Sequence, residues 1–180
     1  GSNTNANYSN VKTVEGSLTI GKASLTVTGN TTSATYNGSE QTNTYTVSGL
    51  VSDETASGVG LSVSGQASAT NVSQGTVTDA LTANTLDNYT VSVTNGRLTI
   101  TPYAGEVILT ANSASGTYSG VTQTVSGFEA SGLLGSDSAS SMSGYSASGS
   151  GKNAGTYAST FSGSNTNANY SNVKTVEGSL

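Results

Sequence analysis

The chain has 180 residues, of which 33% are apolar and only 8% charged, with a formal net charge of -5, a Pro count of one, and no Cys, His or Trp. Without Cys, neither disulfides nor a thiolate metal site can hold it together, so stability must come from strand pairing and modest burial. Five basic residues against ten acidic ones, with a sequence pI near 4.3, disfavour nucleic acid and anionic membrane as partners. No run approaches the roughly 18 apolar residues of a membrane span, and no leader is recognisable at the start, so any export signal is expected outside these residues.

Residues 1–18 are identical to residues 163–180, an offset of 162 (163 − 1). The chain therefore reads as a window on a tandem array, with neighbouring identical repeats in the same chain as its first partners. The unit is itself double. LTVTGNTTSATYNG from Leu25 aligns with VILTANSASGTYSG from Val107, which sets Tyr36 over Tyr118, and VSGLVSD from Val47 aligns with ASGLLGSD from Ala130. The expected organisation is a closing hairpin of a preceding module (1–20), a first β module (21–102) and a second, truncated one (103–180).

In chain order, Asn7–Ile20 reads as that orphan hairpin, with an apolar face left exposed, packed on a neighbouring chain, or docked where the second module is incomplete. Leu25 and Val27 start the first module as a strand, Tyr36-Asn37-Gly38 marks a turn, and Tyr45 and Val47 form a strand ending at Gly49. Ser52-Asp53-Glu54-Thr55 reads as loop or one helical turn, Leu61 to Ser64 alternates again, and Gly75 to Thr78 is a weaker strand. Asn88 to Thr101 carries the strongest signal. Tyr89, Val91 and Val93, then Asn95-Gly96, then Leu98 and Ile100 predict a β-hairpin with Val93 opposite Leu98 and Val91 opposite Ile100. Pro102 ends it. The second module repeats the plan with Val107 and Leu109, a Tyr118-Ser119-Gly120 turn, Val125 with Phe128, a run of small residues over 136–151, Tyr157 with Phe161, and a hairpin cut at Leu180. Linkers of four residues after Ile20 and six after Ile100 favour a semi-rigid rod. The fold class is mainly β: two tandem small antiparallel modules, β-grasp-like or β-sandwich.

The plan formed by LTVT, TYNG, VSGL with a following Asp, and NYTVSVTNGRLTITP resembles the MBG and YDG repeat domains of large bacterial surface adhesins, including filamentous haemagglutinin-like proteins of two-partner secretion. The resemblance implies small β-rich modules, with a β-grasp-like arrangement, repeated between an export region and an adhesive or anchoring region. It implies an extracellular or cell-surface location and no catalytic residues.

Among candidate sites, no His or Cys supplies a base or nucleophile, so catalytic and cofactor-binding residues are expected to be none. Asp53-Glu54 read as solvated surface rather than a catalytic pair; with Asp79, Asp87 and Asp137 they are oxygen ligands for calcium in principle, but no DxDxDG loop or Gly-Asp nonapeptide is present and no metal is expected. The Thr pairs 26/28, 44/46, 99/101 and 122/124 read as solvent-facing strand residues rather than an ice-binding ladder. Tyr36 and Tyr118 read as packed over their own turns in preference to stacking on sugars. Asn7, Asn30, Asn37, Asn71, Asn88 and Asn169 lie in glycosylation sequons that this composition yields by itself. The expected function is a non-catalytic stalk or extender segment of a cell-surface or biofilm adhesin. The alternatives are a weak multivalent binder of host or matrix glycans and a fibre subunit that self-associates through residues 1–20.

Overall fold

Strands form where apolar and hydroxyl residues alternate, and the computed structural model, which describes residues 4–180, is almost entirely strand and turn. The first half contains β1 (Ala23–Gly29), β2 (Thr31–Thr35), β3 (Gln41–Thr42), β4 (Tyr45–Ser48), β5 (Val63–Ser64), β6 (Ser68–Ala69), β7 (Thr76–Thr78), β8 (Thr82–Ala83), β9 (Tyr89–Thr94) and β10 (Arg97–Thr101). The second half contains β11 (Val107–Ala111), β12 (Gln123–Ser126), β13 (Phe128–Ser131), β14 (Tyr145–Gly151), β15 (Ala158–Gly163), β16 (Val173–Val176) and β17 (Gly178–Ser179). Helical structure among the described residues is limited to 3-10 turns at Val72–Gln74 and Ala139–Met142, so no β-grasp helix is present among them.

Three of the four larger sheets are mixed, whereas β12-β14-β15-β17 is antiparallel throughout as expected. In the first half their orders are β4-β1-β9 and β2-β10-β7, with β1/β9 and β2/β10 parallel; in the second they are β13-β11-β16 and β12-β14-β15-β17, with β11/β16 parallel. Parallel pairing needs a long crossover, and here the whole body of each half supplies it.

The hairpin expected at Asn88–Thr101 does not form. β9 and β10 lie in different sheets, and Val93 pairs with Val27 rather than Leu98. Two features of the turn explain this. The Asn95 side chain is engaged as an acceptor from Leu81 N (2.8 Å), and Gly96 is needed for close approach: a Cβ there would fall on the carbonyl oxygen of Asn30. Gly96 is not among the residues with positive φ that a two-residue hairpin turn requires. The chain instead turns a corner, and does so beside β1–β2, which turns the same corner at Gly29-Asn30. The second half repeats it, with Gly178 against Ala111 and Asn112. Gly96→Ala is therefore expected to lower stability by about 1–3 kcal/mol, since backbone rather than a yielding side chain meets the new methyl; urea denaturation of the variant measures it.

The two copies of the repeated sequence take different states. At the C-terminus it supplies β16 and β17 and buries Tyr170 to 2% exposure; at the N-terminus residues 4–20 form no strand and are exposed, with Tyr8 at 66% and Val14 at 94%. Residues 4–20 are exposed in this chain and do not form the expected hairpin. Residues 1–3 lie outside the described residues. β16 pairs with β11, whereas among the described residues no strand pairing is formed by residues 4–20.

The main core crosses from one half to the other. Tyr36, Ala67, Ala69, Leu98 and Ile100 form one buried cluster with Val107, Leu109, Met142 and Tyr170. A smaller cluster of Leu25, Leu86 and Tyr89 sits under β1 and β9.

Candidate functional site

The most built arrangement lies where the halves meet, and it is assembled from a device that each half carries. After β4, the Val51 amide donates to the Tyr89 hydroxyl (3.1 Å), and that hydroxyl donates to the Glu54 carboxylate. After β13, the Leu134 amide donates to the Tyr170 hydroxyl (2.9 Å), which donates to Asp137 Oδ2 (2.6 Å). A single offset of 83 relates Val51 to Leu134, Ser52 to Gly135 and Glu54 to Asp137, and Ser52 and Gly135 share a left-handed backbone with φ 52° and 61°. Asp137 thus corresponds to Glu54, not to Asp53 as the sequence alignment had it.

In the second half a third group completes the device. The Tyr36 hydroxyl also donates to Asp137 Oδ2 (2.8 Å), its ring meets the Tyr170 ring edge-on at 5.5 Å, and Gly38 lies against Gly135. Tyr36 is buried, but under the other half of the chain rather than over its own turn. Ser141 Oγ donates to the other carboxylate oxygen (3.0 Å), and Tyr103 stacks edge-on against Tyr170 at 6.2 Å. Alongside, the Val72 amide donates to Asn169 Oδ1 (2.9 Å), and Asn169 Nδ2 donates to Asn71 Oδ1 (2.9 Å). Two of the sequon asparagines are therefore spent on the junction.

Burial alone would raise the Asp137 pKa, but the hydrogen bonds from Tyr170, Tyr36 and Ser141 favour the anion and hold it below the ordinary carboxylate range. Desolvation, reinforced by the Asp137 hydrogen bond and charge, raises both Tyr36 and Tyr170, so both phenols remain donors. Tyr89 is raised chiefly by its bond to Glu54.

A second carboxylate is buried within the first half. Asp79, 3% exposed, accepts from Ala67 N (2.7 Å) and Asn43 Nδ2 (3.1 Å) on Oδ1, and from Gly96 N (2.9 Å) and Asn43 Nδ2 (2.9 Å) on Oδ2. Each oxygen is committed to N–H donors. In the second half Ser159, which pairs with Gly178 as Asp79 faces Gly96, takes this place with a fully buried hydroxyl that has no hydrogen-bond partner.

Of the five acids weighed as calcium ligands, Asp79 and Asp137 occupy separate networks, Glu54 binds Tyr89, and Asp53 and Asp87 are exposed; among the described residues no three acidic groups gather into a metal site. The threonines pair locally, as Thr76 with Thr99 (2.8 Å) and Thr26 with Ser92 (3.1 Å), across neighbouring strands. Tyr118 is 63% exposed. Sequence reading missed the junction because its donors come from Tyr36 and Tyr170, which stand 134 residues apart (170 − 36). The signal lay in the repeat itself: a carboxylate recurs at positions 54 and 137 at the same distance behind a conformationally matched residue.

Residues 25–99, which hold β1, the Asp79 network and most of β10, match the sequence profile of the MBG domain (YGX type). This segment is similar to the MBG domain family. No curated protein matches the chain, and no solved structure does. MBG domains are repeat domains associated with surface-exposed proteins. Among the described residues, no helix is long and apolar enough to cross a membrane.

Proposed function

We propose that this chain is a non-catalytic stalk segment of a large bacterial cell-surface or biofilm adhesin, in which MBG-type modules (21–102 and 103–180) act as spacers. The observation that carries the reading is the junction. A flexible string of beads would leave each core closed on itself, whereas here Tyr36 of one half is buried against Tyr170 of the other over a shared carboxylate. A continuous core of this kind resists bending between modules, which is what a spacer needs to hold a tip away from its anchor. The buried carboxylates are satisfied by neutral donors, so the reading requires no bound metal for rigidity.

Small-angle scattering on the dilute chain, with and without a calcium chelator, tests this. An elongated profile that chelator leaves unchanged is the expected result. A profile of two independently tumbling bodies, or one that collapses on chelation, would reject the spacer reading.

A further inference from the structure

We infer that the knob carrying Tyr118 and Val121 docks on the face carrying Val51 and Glu54 of a second copy of this chain, forming a junction of the Tyr36–Asp137 type. The internal junction supplies the template. Its donor side is the Tyr36-Asn37-Gly38 turn with the Asn71–Gln74 loop, and its acceptor side is Leu134, Asp137 and Tyr170. The tyrosine turn recurs in the second half and the carboxylate acceptor in the first, and among the described residues neither of these is covered by the other half. The unused donor is Tyr118-Ser119-Gly120, where Tyr118 and Val121 are each 63% exposed and a Cβ on Gly120 would meet nothing within 4 Å. The unused acceptor is Val51, 49% exposed, with Glu54 also exposed; their counterparts Leu134 and Asp137 are half-buried by the donor they hold. Tyr89 is already buried by its own half, so the new contact is the Tyr118 ring on Val51, with the Tyr118 hydroxyl donating to Glu54.

Charge agrees with this pairing. Lys152 lines the cleft beside Tyr118 and Tyr157, while Glu54 and Asp87 line an open cleft of about 470 Å³ with Val51, Lys22 and Ile20. Docking brings the ammonium to the carboxylates, which favours the correct orientation over others. Because knob and seat lie on different surfaces, the contact is heterologous, and copies add end to end rather than closing into a dimer. This inference concerns how copies recognise one another and does not depend on what the array carries.

The test is sedimentation of the full chain over a concentration series, with Tyr118→Ala (knob removed) and Glu54→Lys (seat reversed). The unaltered chain is expected to grow in mass with concentration, and each variant to lose at least about tenfold in association constant. A mixture of the two variants is decisive. The intact seat of Tyr118→Ala accepts the intact knob of Glu54→Lys, so the mixture should form dimers and nothing longer. Val51→Asp provides a second seat variant if circular dichroism shows Glu54→Lys to be unfolded, and Tyr118 is exposed enough for its variant to keep the fold. An unaltered chain that stays monomeric overturns the inference. So does growth that survives Tyr118→Ala, which would assign assembly to another surface such as residues 4–20.

Discussion

Asp79→Ala is expected to cost the first half about 3–5 kcal/mol, enough to unfold a domain of this size or bring it to the edge of unfolding. The reason is what the alanine leaves behind. The Ala67 and Gly96 amides and the Asn43 side-chain amide all point at the carboxylate. Three donors are stranded at once, and each unsatisfied buried donor costs about 1–3 kcal/mol. The Gly96 amide also belongs to the corner between β9 and β10, so the loss spreads to both larger sheets of the first half. Asp79→Asn is the informative companion. It keeps the shape but turns one acceptor into a donor facing a donor, and should recover only part of the loss. Thermal unfolding of the two variants beside the unaltered chain reads both effects. An Asp79→Ala chain within about 1 kcal/mol of the original would show that the network contributes little.

Asp137→Ala is expected to cost about 2–4 kcal/mol, because hydrogen bonds to a charged acceptor from Tyr36, Tyr170 and Ser141 are lost together. Its distinctive result is a change of cooperativity. With the junction intact the halves should melt in one calorimetric transition; with Asp137 removed they should melt in two. The pH dependence follows from the direction of the shift. The folded carboxyl titrates below its unfolded value, so its contribution is fully present above the ordinary carboxylate pKa and is lost as pH falls through the lowered folded value. The two tyrosines set the other limit. Their raised values mean a contribution present below the ordinary phenol pKa and lost as pH rises through the folded values. Stability of the coupled state should therefore fall below about pH 4 and again above about pH 10, and Asp137→Ala should flatten the acid limb.

Strand positions were legible because alternation needs only local sequence: β1, β4, β7, β10 and β11 fall where apolar residues recur at period two. Pairing was not legible to the same degree. Asn95-Gly96 carries the usual signature of a hairpin turn, yet the same two residues serve a corner, Asn as a side-chain acceptor and Gly as the residue thin enough for Asn30 to approach. Local chemistry cannot distinguish those uses, because what decides is a strand some 66 residues upstream. The burial of Asp79 depends on three donors contributed by positions 43, 67 and 96, which nothing local to an isolated acid in a polar segment signals. Spacing alone predicts one strand through Val125 and Phe128, but Gly127, with φ 87°, splits it and sends β12 and β13 to different sheets. The junction itself combines Tyr36, Asp137 and Tyr170, and only the internal repeat hinted that their types belong together.

The parallel closure of each half also sets a timetable for folding. β1 takes its place beside β9 through pairs such as Ala23 with Tyr89 and Thr28 with Thr94, so the first strand waits for one of the last two before it has a full complement of hydrogen bonds. Contacts of such sequence separation form late and slowly. A chain delivered from its N-terminus cannot complete a half until that half's final segment has emerged, and it then completes in one step. Each half is therefore held open until its late strands have formed.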